Sequence, residues 1–504
     1  MKKTAPPKIE KPYRVLTFFE KYYFIFLIAF LAAVCFFCFY HLGQFPARDW
    51  DEARHGVSAY EMLKTNNYVV NTYSFETDYY NLKPPLSFWG IILGYKIFGY
   101  NLFGMRFYSA FSFVLTVFLT AFFTLKRYGK LESLVVTLLL ACSSPFYRYH
   151  FARHADADSL FLLFVVVSIL SAMLIKEHTK FLYLCGFAFS LAFLTKSWHS
   201  LLIVSVVGVY FVASKLIVKL NWKQWLGFAA SAFGPILLWL AVRYQYDGFQ
   251  FLKKMVDIDL LNRVGQPLEG HSGGLFYYVQ LMFSMSLTTG LFPLCIALYY
   301  GFLKAIDAQD VFSQMNQKFK TDLLLYLIWF VVPLIAFSIP QTKISWYSIP
   351  IFFSIVLLSG ILFAQMMRGP RKYLAFQLIL CGLLVLIAVP SFSRTWNELQ
   401  PGYKDTLQPF LANELTTKEN IKGKNAYLVI DSPFTPQKWD QSYLLLGELY
   451  LDLKCRSGGV QDFINNSKDS VLIISKNQYT QFSGRLKNFK IVDKSDEYLC
   501  LSAK

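Results

Sequence analysis

The 504-residue chain is 55% hydrophobic and only 16% charged, and its 50 Phe and 32 Tyr exceed what a water-soluble core needs. Its net charge of +17 falls in short segments between long apolar runs, a distribution that excludes nucleic acid as the partner of that charge. These features specify an α-helical polytopic membrane protein.

Residues 1–20 form a basic N-terminus, expected to be cytoplasmic. The apolar run Tyr22–Tyr40 follows without a small-residue cleavage site, so it reads as a retained first helix. A transmembrane domain over 21–391 then carries eleven apolar runs, or thirteen crossings with a long run broken. Helix parity places Lys126–Lys130, Lys176–Lys180, Ser214–Lys223, Lys304–Lys320 and Met367–Lys372 inside, and each is rich in Lys or Arg. The same parity places outside the segments 41–102, 148–158, 243–274 and everything past 391. Residues 275–303 are long for one span and contain Pro293, which predicts a kink. Past 391 the composition changes, and strands at Ala426–Asp431 and Ser470–Ser475 flank a helix at Ser442–Leu451. Residues 392–504 therefore read as a small soluble α/β domain, whose Cys455 and Cys500 become a candidate pair in an oxidising compartment.

The outward segments carry the chemistry. Arg48-Asp49-Trp50-Asp51-Glu52-Ala53-Arg54-His55 follows the first span, and His154-Ala155-Asp156-Ala157-Asp158 precedes the fourth. Charge beside hydrocarbon is costly, so acids kept there point to function. Asp49 with Glu52 three residues on fits a capping box, while Asp51, His55 and Ser58 share one helical face. Lys83 lies before Pro84-Pro85, which hold its backbone extended; phosphate binding and lipid-headgroup contact are equal readings for it. Arg263, His271, Lys343 and Tyr347 lie in two further outward loops. His150, His154 and His199 also face out, without the cysteines that would join them in a structural zinc site.

In order, Trp50-Asp51-Glu52, Lys83-Pro84-Pro85-Leu86, Asp158 with Phe164, Phe193-Leu194-Thr195-Lys196, Asn262-Arg263 with His271 before Tyr277-Tyr278, and Ser338–Lys343–Tyr347–Pro350 resemble motifs of the GT-C fold glycosyltransferases. The likeness is to the bacterial aminoarabinose transferase and protein O-mannosyltransferase-like branch, over roughly residues 20–370. It implies an enzyme of the bacterial inner membrane with its site and tail domain extracytoplasmic. It implies a polyprenyl-phosphate-linked sugar as donor, transfer with inversion, and a lipid, cell-envelope glycan or protein as acceptor, lipid A modification and mannosyl transfer being the family's themes. Carried over by motif, Asp51 and Asp158 are the catalytic acids, and Lys83, Arg263, Lys343 and Tyr347 the donor-phosphate ligands. Glu52, Arg54, His55, Asp156 and His271 support them. The family's Glu before this Lys, a metal ligand beside the loop His, is Leu82 here, so no obligatory metal is expected.

Fixed cations would stabilise the leaving phosphate, and a hydroxyl acceptor would need a carboxylate base, worth about 10²–10⁴-fold. Two rivals share these features. A transporter would keep its acids near the midplane and show inverted repeats, neither of which is legible here. A polyprenyl-phosphate-sugar binding protein would use the cations without needing Asp51.

Overall fold

The computed structural model describes residues 14–148, 150–262, 272–305, 317–368, 374–400, 405–431 and 438–503. The chain opens with α1 (Arg14–Lys21) and α2 (Tyr23–Phe39), then leaves the bundle for α3 (Asp51–Thr65), the two-stranded ribbon β1 (Thr72–Tyr73) and β2 (Glu76–Thr77), and α4 (Leu86–Phe98). It re-enters as α5 (Leu102–Arg127), α6 (Lys130–Cys142), α7 (Asp158–Leu174), α8 (Lys180–Lys196), α9 (Leu201–Ala213) and α10 (Trp222–Asp247). There follow α11 (Gln250–Lys254), a wide turn of helix over Met255–Asn262, α12 (Tyr277–Met285), α13 (Leu287–Gly290), α14 (Phe292–Ala305), α15 (Gln317–Ser338), α16 (Ile349–Met367) and α17 (Leu374–Glu398). Helices α2, α5 to α10, the α12–α14 segment, α15, α16 and α17 fill the eleven apolar runs one for one.

Among the described residues, six helical stretches are long and apolar enough to cross a membrane by length and composition. One of them, Lys180–Ala213, is two helices that reverse direction. Ser197, at φ 45°, breaks it after Lys196. Helices α7 and α8 are antiparallel, since Ser168 bonds the Cys185 carbonyl at 3.0 Å while Lys196 pairs with Asp158. Helices α8 and α10 are parallel, because Gly186 abuts Phe228 and Ser231 while Tyr183 abuts Gly227. Two parallel neighbours require that α9 return between them. The expected kink at 275–303 falls at Ser286, whose backbone is extended and whose hydroxyl accepts from Thr288 N, with Pro293 in the first turn of α14.

A row of hydroxyls within the bundle bonds back to its own helix. Ser112, Thr116, Thr120 and Thr124 of α5 each donate to the carbonyl one turn earlier at 2.6–2.8 Å. This satisfies hydroxyls that hydrocarbon cannot. At one end of the bundle a belt of ion pairs ties the helices, with Arg127 on Asp322 at 2.6 Å and Arg368 on Glu132 at 2.9 Å. The opposite end carries the loops of α3, α4 and the 150–157 turn.

Two buried arginines hold that loop end. Arg153 donates to the Phe37 and Tyr40 carbonyls at 2.7 and 2.8 Å, capping α2. Arg106 donates to the Leu42, Phe45 and Pro46 carbonyls at 2.8–2.9 Å and pairs with Glu52 at 2.7 Å. Glycines bring α4 against α5: a Cβ on Gly94 would lie 1.9 Å from the Gly104 carbonyl oxygen.

The tail continues with β3 (Asn425–Val429), α18 (Gln441–Leu451), β4 (Lys454–Cys455), α19 (Val460–Asn465), β5 (Ser470–Ser475), α20 (Lys476–Leu486), β6 (Lys490–Lys494) and β7 (Tyr498–Ser502). Its sheet has the order β4-β3-β5-β7-β6, parallel through β4, β3 and β5 and antiparallel beyond. The expected strands and helix are all present. Helix α17 runs on to Glu398, and the tail is not separate: Leu444, Leu445 and Leu449 of α18 share one buried cluster with Ala53, Val57 and Tyr60 of α3. Cys455 and Cys500 are both free, for β4 and β7 are separated by β3 and β5, about 14 Å at ordinary strand spacing and beyond disulfide reach.

Candidate active site

Helix α3 begins at the first acid for a local reason. Trp50 at φ 68° ends the preceding loop in a strained conformation, and the Ala53 and Arg54 amides bond back to the Arg48 and Trp50 carbonyls. Asp51 and Glu52, adjacent in sequence, then point opposite ways. Glu52 is fully buried, accepting from Arg106 Nε and Nη2 at 2.7 and 2.9 Å and from the Arg48 and Ala155 amides at 3.0 and 3.1 Å. Burial raises its pKa, but Arg106 outweighs that and draws it down to about 2. Its bond to Ala155 ties the start of α3 to the turn carrying the second acidic cluster.

Asp51 faces a cavity of about 590 Å³, within the ~300–1,000 Å³ usual for small-molecule sites. Its side chain is 41% exposed; Oδ1 lies 3.3 Å from Lys83 Nζ and Oδ2 lies 4.0 Å from His150 Nδ1. Burial would raise its pKa, yet Lys83, His55, His150 and Lys196 together hold it well below the usual carboxylate range. Across the cavity Lys196 pairs with Asp158 and sits 5.2 Å over the Tyr347 ring, whose edge meets His199. His150 stacks on Trp346 at 3.6 Å, with Nδ1 3.1 Å from Asp156 Oδ2. Burial lowers the His150 pKa, but Asp156, Asp51 and Asp158 outweigh it and raise it.

The structure brings together Asp51, Lys83, Asp156, Asp158 and Tyr347 around this cavity. Arg54 lines the cavity but is engaged by Asp78 in a two-point pair at 2.7 and 2.8 Å, between the Tyr73 and Tyr80 rings. His55 is buried beneath the site on Phe88, bonded through Nδ1 to the Asp51 carbonyl; burial and Lys83 bring its pKa down to about 4. Lys343 is engaged outside the cavity. Its ammonium donates to the Phe337, Ser338 and Pro340 carbonyls that close the end of α15, and it does not line the cavity. Burial lowers its pKa accordingly. Arg263 and His271 lie outside the described residues.

Sequence reasoning gave no role to His150, Lys196, His199 or Trp346, all of which line the cavity. The Phe193–Lys196 motif and the outward histidines were the available signals. Leu82 is buried and offers no metal ligand where the resembled family has Glu. A different group fits an ion: ligand atoms of Asp51, His150 and Asp156 lie within 4.8 Å of one another.

Residues 82–239 match the dolichyl-phosphate-mannose-protein mannosyltransferase family. The chain is 26% identical to the undecaprenyl phosphate-alpha-4-amino-4-deoxy-L-arabinose arabinosyl transferase of Enterobacter sp. (strain 638), over 67% of this chain and 60% of that one. It is 27% identical to transferase 1 of the same description from Pseudomonas fluorescens (strain Pf-5), over 72% and 65%. The chain thus spans about three fifths of the length of such relatives. In structure it is similar to ArnT from Cupriavidus metallidurans bound to undecaprenyl phosphate, with TM-score 0.65, 16% identity and 94% and 97% of the chains covered. The oligosaccharyltransferase AglB of Archaeoglobus fulgidus, complexed with an inhibitory peptide and a dolichol-phosphate, is similar at TM-score 0.51 and 12% identity, over 92% and 71%. The chain therefore has the GT-C fold of the aminoarabinose transferases and carries, over residues 82–239, a region like that of the protein mannosyltransferases.

Proposed function

We propose that the chain is an integral membrane glycosyltransferase that moves a sugar from a polyprenyl-phosphate donor to an extracytoplasmic acceptor with inversion. The observation that carries this reading is the pairing of the Asp51 carboxyl with Lys83 at 3.3 Å on the wall of a cavity at one end of the bundle. The named relatives, described as undecaprenyl-phosphate transferases, support it.

Lys83 and Lys196 are the cations that would receive the leaving phosphate, already in place and needing no reorganisation. Arriving phosphate competes with Asp51 for Lys83. That frees the carboxylate from the cation depressing its basicity, so Asp51 becomes a better base once donor is bound. It then takes the acceptor hydroxyl's proton as the anomeric carbon is attacked from the face opposite the phosphate. With an acceptor phosphate no proton need move, and the acids position sugar and loops instead. Asp158, paired with Lys196, holds that cation toward Tyr347.

We propose that transfer needs no obligatory metal. A divalent ion would be held by Asp51, His150 and Asp156 and would supply Lewis-acid charge; Lys83 already stands beside Asp51 with such charge. The N-terminus is proposed to be cytoplasmic and the site extracytoplasmic, on the distribution of Lys and Arg.

The test is radiolabel transfer by purified protein from a panel of undecaprenyl-phosphate sugars, with Lys83→Ala alongside. Release of polyprenyl phosphate that depends on Lys83 supports the reading. Binding of lipid phosphate without turnover of any donor would replace it with a binding or transport role.

A further inference from the structure

Helix α18 of the tail lies along α3, the helix whose first residue is Asp51. Polar contacts pin both ends of the contact. The Ser442 amide donates to Asp49 at 2.7 Å, while Tyr60 and Lys64 both donate to Asp452, at 2.5 and 2.7 Å. Between these clamps the interface buries two carboxyls. Glu61 of α3 is 0% exposed and Glu448 of α18 is 2% exposed, and Oε2 of each has no hydrogen-bond partner. Glu61 Oε1 accepts from the Phe75 amide at 2.9 Å. Among the described residues no cation is paired with either acid. Two buried carboxylates with no cation partner in one helix–helix contact are costly, and protonation removes the cost.

We propose that the tail is latched onto the Asp51 helix by protonation of the Glu61–Glu448 carboxyl pair, so that docking is tight in acid and loosens in alkali. The inference stands whether or not the chain transfers a sugar.

Of the acids around this contact, these two alone are raised from the ordinary carboxylate range. Asp452 is burdened by burial but held low by Lys64 and Tyr60, and Asp78 is likewise held low by Arg54. Burial pushes the Tyr60, Tyr73 and Tyr95 phenols and the Cys455 thiol upward, out of the range. Glu61 is raised by burial to about 7, and Glu448 is raised well above its ordinary value by burial and by Glu61. Raised folded values mean that the stabilisation is complete in acid, below the unfolded carboxyl range. It is lost as pH rises through about 7.

The experiment is hydrogen exchange on the full chain in lipid nanodiscs between pH 4 and 9, with rates corrected for the intrinsic pH dependence of exchange. Protection of residues 51–65 and 441–451 is expected to be greatest near pH 4, to fall by up to about tenfold per pH unit for each carboxyl between its ordinary range and its raised docked value, and to level off above that value. Glu61→Gln with Glu448→Gln keeps both side chains neutral, so protection should match wild type near pH 4 and stay constant to pH 9. Constant protection in wild type, or a double variant that still loses protection, would overturn the latch. Should the double variant be unprotected already at pH 4, Glu448→Gln alone decides by the same comparison.

Discussion

The Glu52–Arg106 pair makes a quantitative prediction. Both side chains are fully buried, and Glu52 accepts four hydrogen bonds, two from the guanidinium and one each from the Arg48 and Ala155 amides. Removing one charge strands the other in a low-dielectric interior, which costs about 3–5 kcal/mol. A glutamine still accepts through one oxygen, and Arg106 retains its three carbonyl partners, so Glu52→Gln falls at the low end, about 3 kcal/mol. Arg106→Met alone strands Glu52 and costs as much or more. Replacing both together removes the stranded charge, so the double variant should be less destabilised than the sum of the two by about 1–3 kcal/mol. Thermal unfolding of the four proteins in one detergent, with the calorimetric enthalpy, reads this cycle. Strict additivity, or a loss below about 0.5 kcal/mol for Glu52→Gln, would refute the claim that this pair braces the acid-bearing helix.

Two further perturbations separate local roles. Lys343→Met leaves three carbonyls at the end of α15 without their donor, so it should lower the unfolding midpoint while donor affinity, measured by titration with lipid phosphate, changes less than about twofold. A large affinity loss would return Lys343 to the phosphate site. Chelation with EDTA should leave the transfer rate unchanged, and loss of activity restored by a divalent ion would instead place a required metal at Asp51, His150 and Asp156.

The span pattern was legible because apolar runs of bilayer length are a one-dimensional signal, and each received a helix. The acids and Lys83 were legible because charge flanking such runs is rare. What the sequence withheld were choices of partner. The local pattern set Glu52 apart from Asp51, but nothing local named Arg106, fifty-four residues away, which takes Glu52 and leaves Asp51 to the cavity. Lys343 looked like Lys83, but its ammonium is bonded to carbonyls at the end of α15. His150 and Lys196 reach the site only through the 150–157 turn and the reversal at Ser197, and tertiary packing sets both. The docking of α18 on α3 was hidden for the same reason, because an amphipathic tail helix does not announce which surface it will cover.

Asp51→Asn tests the central claim most directly, with donor affinity and transfer rate measured on the same preparation. The side chain keeps its size and one acceptor oxygen, and loses only the carboxylate. The account predicts donor binding within a few-fold of wild type. For a hydroxyl acceptor it also predicts transfer reduced by about 10²–10⁴-fold, the worth of a general base. Full transfer by Asp51→Asn with a hydroxyl acceptor would contradict it, and would leave the cavity as a binding site whose chemistry lies elsewhere.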